Sequence, residues 1–332
     1  MSIKHLFIML ILVSGPAAAA GQSFADWIKE IKQQALAKGI RPETVAVLDN
    51  LQPDERVIGF DRHQPEFVQT FQQYLNARVT DDKIRQARKE FRDNASTLKA
   101  IGDKYGVDPS YIVSFWGLES GFGKHQGTYS VVRSLATLGY DQRRRAYFTS
   151  QLFAALKILD EGHVAPDKFV GGWAGAMGQN QFMPSAFLSY AQDYDGDGRK
   201  NIWSDPEDVW ASIANYLKLN GWKKGAGWGM QVMLPKHIDL DALKPEKERR
   251  GCTAYKEQTR RLPISRWREL GLTGDFGDAK QKSYALVVPD KGSRIAYLAG
   301  GNYDAILAYN CANKYAVSIG MLADLIRSGT AD

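Results

Sequence analysis

The sequence predicts a mainly α fold with a small β-rich region towards its C-terminal end. Apolar residues recur at helical spacing through most of the stretch from Phe24 to about Leu219. After Trp228 the pattern changes to short β-branched or aromatic runs bounded by Gly, Pro, Asp and Asn. The 332 residues are 44% hydrophobic and 24% charged, the composition of a chain with a packed core rather than a disordered one, and the length allows two or three domains.

The first twenty residues stand apart. Lys4 and His5 precede the apolar run Leu6 to Val13, and small residues follow up to Ala20. The run is too brief to cross a bilayer, and the three-part pattern is that of a secretory signal peptide cleaved near Ala20. No cysteine follows the small residues to carry a lipid, so an exported, soluble protein is expected.

In the stretch that follows, Phe24, Trp27, Ile28, Ile31 and Leu36 mark one face of a helix ending near Gly39. Asp82 to Tyr105 is a second helical stretch, with Ile84, Ala87, Phe91, Leu98 and Ile101 along a face and Gly106 as its stop. Asp108 then reads as an N-cap and Pro109 as the first turn of a new helix. That helix, PSYIVSFWGLE, brings Glu119 to its last turn, before Ser120 and Gly121. The negative end of a helix disfavours a further negative charge, and Trp116, Leu118 and Phe122 limit hydration. Both effects raise a carboxyl pKa, as a general acid working near neutrality requires. Downstream, MQVMLP, SYALVVP, SRIAYLAG and YDAILAYN read as strands and hairpins, and YAVSIGMLADLIRSG as a closing helix.

The formal net charge is +6. A modest basic excess suits an anionic polymer, but no nucleic-acid-binding motif accompanies it, so nucleic acid is not an expected partner. The two cysteines, Cys252 and Cys311, can pair in an oxidising compartment; two buried thiols are the alternative.

Further stretches carry chemistry. GGWAGAMGQNQFMPS, from Gly171 to Ser185, is a small-residue loop that lets a ligand approach the backbone. GYDQRRRAYF joins three arginines to aromatic residues. In DYDGDGRKNIWSDPED, Asp193, Asp195 and Asp197 take positions 1, 3 and 5 of an EF-hand-like loop, with Gly198 at position 6 and the Arg199 carbonyl at position 7. Position 12 is Ser204, not a bidentate Glu, so a strict EF-hand is excluded. Three aspartates this close would repel one another without a cation, which argues for a structural Ca²⁺; a solvated acidic turn is the alternative.

In order, ESGFG, RRRAYF, AGAMGQNQFMPS, DYDGDG with DPED, IANYL and YN with YA make the chain resemble the family B lytic murein transglycosylases over roughly residues 24 to 325. The resemblance implies a lysozyme-like helical catalytic core with an N-terminal helical domain and a small C-terminal β-rich region. The expected division is a signal peptide at 1–20 and a helical domain at 21–80, completed by a C-terminal helix at 315–328. A catalytic core with the calcium loop at 81–228 and a β-rich domain at 229–314 complete it.

The resemblance also implies that Glu119 alone serves as acid and base, cleaving the bond between N-acetylmuramic acid (MurNAc) and N-acetylglucosamine (GlcNAc) of peptidoglycan to leave a 1,6-anhydro ring. Asp141, Asp160, Glu161 and Asp167 are the other acids nearby in sequence, none in a comparable motif. A hydrolytic muramidase and a non-catalytic peptidoglycan-binding protein are the alternatives. Saccharide contacts fall to Gln181 and Tyr216, with Tyr216 placed to meet the catalytic carboxyl, and to Tyr309, Asn310 and Tyr315. Arg143 and Arg144 are expected to meet peptide carboxylates. The calcium loop would be closed by Asp208, with Asp205 as the other choice. The family pattern has Tyr-Gly where this chain has Gln179-Asn180. The expected partners are glycan strands and, as candidates, cell-wall synthesis or division proteins. A monomer in the periplasm, with no organic cofactor, completes the expectation.

Overall fold

The computed structural model describes residues 22–62, 69–247, 249–277, 281–290 and 292–329. The signal-peptide reading lies outside these residues. Helix α1 (Phe24–Ala37) starts at Ser23, whose hydroxyl caps the N–H of Asp26, and ends before Gly39. Short helices α2 (Pro42–Val45), α3 (Glu55–Arg62) and α4 (Phe71–Arg78) follow. The stretch read as one helix from Asp82 to Tyr105 is two, α5 (Asp81–Asp93) and α6 (Ala95–Tyr105). The break falls at Asn94, whose backbone leaves helical angles (φ −112°, ψ 18°) and whose side-chain amide joins its own N–H in donating to the Glu90 carbonyl.

Helix α7 (Pro109–Ser120) is buried almost all round, from Ser110 to Leu118. A helix hydrophobic on every side belongs at the centre of a fold, and α7 packs against α5, α6, α11 (Pro206–Leu219) and α14 (Asn313–Ser328). Between them lie α8 (Val131–Tyr140), α9 (Arg145–Asp160) and α10 (Pro184–Tyr190). A two-stranded ribbon, β1 (Tyr129–Ser130) against β2 (Val170–Gly171), is extended by bridges Gly171 to Met177 and Met177 to Phe182, which pin the small-residue loop.

The C-terminal sheet has order β3 (Gly229–Met233), β5 (Ile295–Ala299), β4 (Ala285–Val287), all antiparallel. Tyr297 and Ala299 of β5 join the main core, which runs from Trp27 to Ile326, while Ala296 and Leu298 join a smaller core with Val232, Trp267 and Leu286. A strand buried on both faces must be apolar at every position, which explains the unbroken run in AYLA. Helix α12 (Ile264–Glu269) supplies Trp267.

YDAILAYN is not a strand. It forms α13 (Tyr303–Tyr309), with Tyr303, Ile306 and Leu307 buried on one face. Cys252 and Cys311 form a disulfide (Cα separation 5.5 Å) that ties the segment before Thr253 to the α13–α14 junction. Closing a loop of this length stabilises the fold by about 4 kcal/mol on the loop-entropy model. No described helix is long and apolar enough to cross a membrane.

Candidate active site

Glu119 reaches its place because α7 is fixed at both ends. Asp108 accepts from the Ser110 N–H at 2.8 Å, and Pro109 opens the first turn. At the other end Gly121 adopts φ +59° and returns its N–H to the Gly117 carbonyl, the left-handed stop that glycine permits. Gly117 is needed for a second reason: a Cβ there would lie 2.7 Å from the Phe122 ring, which folds back edge-on against Trp116. Trp116 is held in turn by Gln179, whose Oε1 accepts the indole N–H at 2.7 Å and whose Nε2 donates to the Trp203 carbonyl.

The Glu119 side chain is half-buried and its Oε1 accepts a short hydrogen bond from the Tyr315 hydroxyl. Tyr315 is 4% exposed, and burial, followed by the charge of Glu119, holds its phenol well above the usual range. It therefore remains a proton donor at any physiological pH, and the acid is anchored by α14. Ser114 of α7 fixes the pair by donating to the Ile319 carbonyl at 2.8 Å.

Glu119, Leu118 and Phe122 line a cleft of about 680 Å³ whose far wall is made by Arg78, Lys83 and Gln86 of α4 and α5. The other acid in this lining is Asp82, largely exposed and paired with Arg85. The acids near Glu119 in sequence are engaged elsewhere. Asp141 pairs with Arg62, Asp160 with Arg41, Glu161 with Lys157 and Asp167 with Lys168.

The expected sugar-contacting residues separate into groups. Tyr216 does not meet the catalytic carboxyl: its hydroxyl donates to the Ala308 carbonyl at 2.6 Å, and its ring packs 4.7 Å from that of Tyr309. Tyr309 donates to the Asn180 carbonyl at 2.6 Å. Asn310 is exposed at the end of α13. Gln181, at φ +53°, turns its amide onto the Gly178 and Gln126 carbonyls. Arg143 and Arg144 both pair with Asp61, a buried residue of α3, and face a depression lined by Trp27, Tyr147 and Phe153, not the lining around Glu119. Gln179 and Asn180, departures from the expected motif, are buried framework: Asn180 donates to the Val209 carbonyl.

In the acidic loop, one carboxylate oxygen from each of Asp193, Asp195 and Asp197 lies within 4.8 Å of the others, and the same holds for Asp195, Asp205 and Asp208. Asp208 is 1% exposed and accepts the N–H groups of Tyr194 and Asn201, both at 2.6 Å. Burial, with Asp205 and Asp195 adding to it, raises its carboxyl to about 6. Asp205 caps α11 through the N–H groups of Glu207 and Asp208. An all-oxygen donor set, acidic beyond its local counter-charge, fits a hard divalent cation.

A family model described as a transglycosylase SLT domain matches residues 23–324. The chain belongs to this family. Among curated members, the membrane-bound lytic murein transglycosylase B of Escherichia coli is 30% identical over 256 residues, covering 76% of this chain and 66%, just under two thirds, of that relative. Of solved structures of SLT relatives, SltB3 from Pseudomonas aeruginosa in complex with NAG-NAM-pentapeptide superposes with a TM-score of 0.84 at 38% identity, covering 93% of this chain and 81% of that one. The same protein with NAG-anhNAM-pentapeptide gives 0.83 at 39%, covering 92% and 80%. Escherichia coli SLT35 in complex with calcium gives 0.76 at 26%, covering 92% and 94%. The mainly α, lysozyme-like fold and the family expected from the sequence hold.

Proposed function

We propose that this member of the SLT family is a lytic transglycosylase that cleaves the MurNAc-(β1,4)-GlcNAc bond of peptidoglycan without consuming water. One observation carries the reading. Glu119 sits in the cleft with a buried phenol on its carboxylate, and the other acid among the described lining residues is already in an ion pair. Hydrolytic glycosidases set a second carboxylate about 5–9.5 Å from the first. With one acid, the attacking group comes from the substrate itself, where an intramolecular hydroxyl has a large proximity advantage.

In the proposed sequence, protonated Glu119 gives its proton to the bridging oxygen as the C1–O bond breaks, and the 2-acetamido carbonyl supports the developing charge at C1. The carboxylate left behind takes the proton of the C6 hydroxyl as O6 bonds to C1. The ring closes and Glu119 ends protonated, so no atom of water enters. The Tyr315 hydroxyl stabilises the carboxylate between the two transfers. Gln181, Tyr309 and Asn310 are proposed to face the sugars, with Tyr216 packed behind Tyr309. Arg143 and Arg144, neutralised by Asp61, are proposed to contact substrate only at the outer depression. The periplasm and the domain division given above are part of the same reading.

Ca²⁺ is the proposed occupant of the acidic loop, held by Asp193, Asp195, Asp197, the Arg199 carbonyl and Asp208, where it would supply counter-charge and fix the loop. Asp208 has its carboxyl raised on folding, so its ionisation opposes folding increasingly as pH rises from about 4 to 6 and fully above that. Calcium at about 100 times its Kd should add roughly 2.7 kcal/mol, near 5 °C in Tm, at pH 7.5, and less at pH 5. Thermal melts with calcium or chelator check this, and Asp208→Asn should remove most of the difference.

The reaction itself is tested by mass analysis of digested sacculi. Muropeptides lighter by one water than the hydrolytic products, and non-reducing after ring closure, are expected. Products with a free reducing muramic acid would instead indicate a hydrolase, and sacculus binding without any release a scaffold.

A further inference from the structure

The cleft beside Glu119 has a cationic wall that the reaction above does not use. Arg78, Lys83, Arg85 and Lys89 line one side, and Lys124 stands on the opposite lip, after the Gly121–Gly123 turn. Arg85 and Lys89 are answered by Asp82 and Asp93. Lys83 is not. It lies half-buried in the first turn of α5, its backbone N–H capped by Thr80, and among the described residues its ammonium has neither an ion pair nor a hydrogen bond. Burial, then the neighbouring Arg78, pushes its pKa down, against a smaller pull from Glu119. The first turn is also the positive end of the helix, where a cation is disfavoured. Exposed Lys124 likewise lacks an ion pair among the described residues. The two arginines expected to meet anions, Arg143 and Arg144, already share Asp61.

The site thus holds an unanswered cation at a disfavoured position, facing the same cavity as the acid. N-acetylated sugars carry no charge, and the muramyl acid group is consumed in its amide to the peptide. An anion arriving with such a glycan is therefore a carboxylate of the peptide stem. We propose that Lys83, assisted by Lys124 across the lip, binds a stem-peptide carboxylate and so selects glycan that still carries peptides. The proposal rests on the peptidoglycan reading above, and deepens it.

The test uses GlcNAc–MurNAc-pentapeptide, which lacks the MurNAc-to-GlcNAc bond that is cut and so can be titrated into the active wild-type protein. A second ligand is the same molecule with its peptide carboxylates amidated. Lys83→Met is expected to weaken binding of the free acid about tenfold, equivalent to roughly 1.4 kcal/mol, with Lys83→Arg retaining most of the affinity. For the amidated ligand, wild type and Lys83→Met should bind alike. Equal loss with both ligands, at unchanged Tm, would overturn the proposal, as would no loss with either. Product analysis on sacculi with wild-type enzyme is read separately, so failure of the lytic reaction is distinguishable from failure of carboxylate recognition.

Discussion

Glu119→Gln should lower the release of anhydromuropeptides from sacculi by about 10²–10⁴-fold while leaving the fold intact. The amide keeps an oxygen to accept from Tyr315, so the anchoring hydrogen bond to α14 survives, and the exchange is nearly isosteric in a half-buried position. What disappears is the transferable proton, and with it both halves of the reaction, since the same group donates to the bridging oxygen and then takes from the C6 hydroxyl. Thermal melts should change by no more than about 0.5 kcal/mol equivalent. A well-folded Gln variant that still released cyclised products at the parental rate would remove Glu119 from the chemistry altogether.

Tyr315→Phe is expected to have the second-largest effect. The ring stays packed against Phe115, but the carboxylate loses a charge-assisted donor inside the protein. Such bonds are worth about 1.5–3 kcal/mol, so kcat should fall about 10- to 100-fold. Because the phenol favours the ionised carboxylate, its removal should move the acid–base profile to higher pH. The step in which Glu119 gives up its proton then becomes the harder one, because the carboxylate it leaves has lost its donor. A shifted pH–rate profile separates this role from packing; a variant with unaltered rate and profile would reduce Tyr315 to core material.

Much of this site was legible because its ends are punctuated locally. Asp108-Pro109 and Ser120-Gly121 bracket α7 by capping and by a left-handed stop, which place Glu119 with no tertiary knowledge. The break at Asn94 was hidden because Ile84, Ala87, Leu98 and Ile101 continue a helical rhythm across it, while only this one residue leaves helical angles. YDAILAYN reads as a strand by composition, yet Tyr303, Ile306 and Leu307 stand at helical spacing, and the core selected that pattern over β-propensity.

Side-chain partners are decided across the fold, which no local pattern encodes. Tyr315, 196 positions from Glu119, takes the hydrogen bond that Tyr216 was expected to make, and Asp61 claims the two arginines. Lys83 carries no signal in sequence beyond a cation after a Thr cap, because its place opposite Glu119 arises from the packing of α5 on α7. Gln179 meets the Trp116 indole 63 positions away, a partner set by the same packing.

The span between Glu119 and Tyr315 has a temporal consequence. A polypeptide emerging from its amino end presents the acid long before α14 exists to orient it. Until then Glu119 lacks the hydrogen bond that fixes its pose, and the strands that pair across both cores have yet to follow. The pose proposed for catalysis is thus completed only by the last helix of the chain.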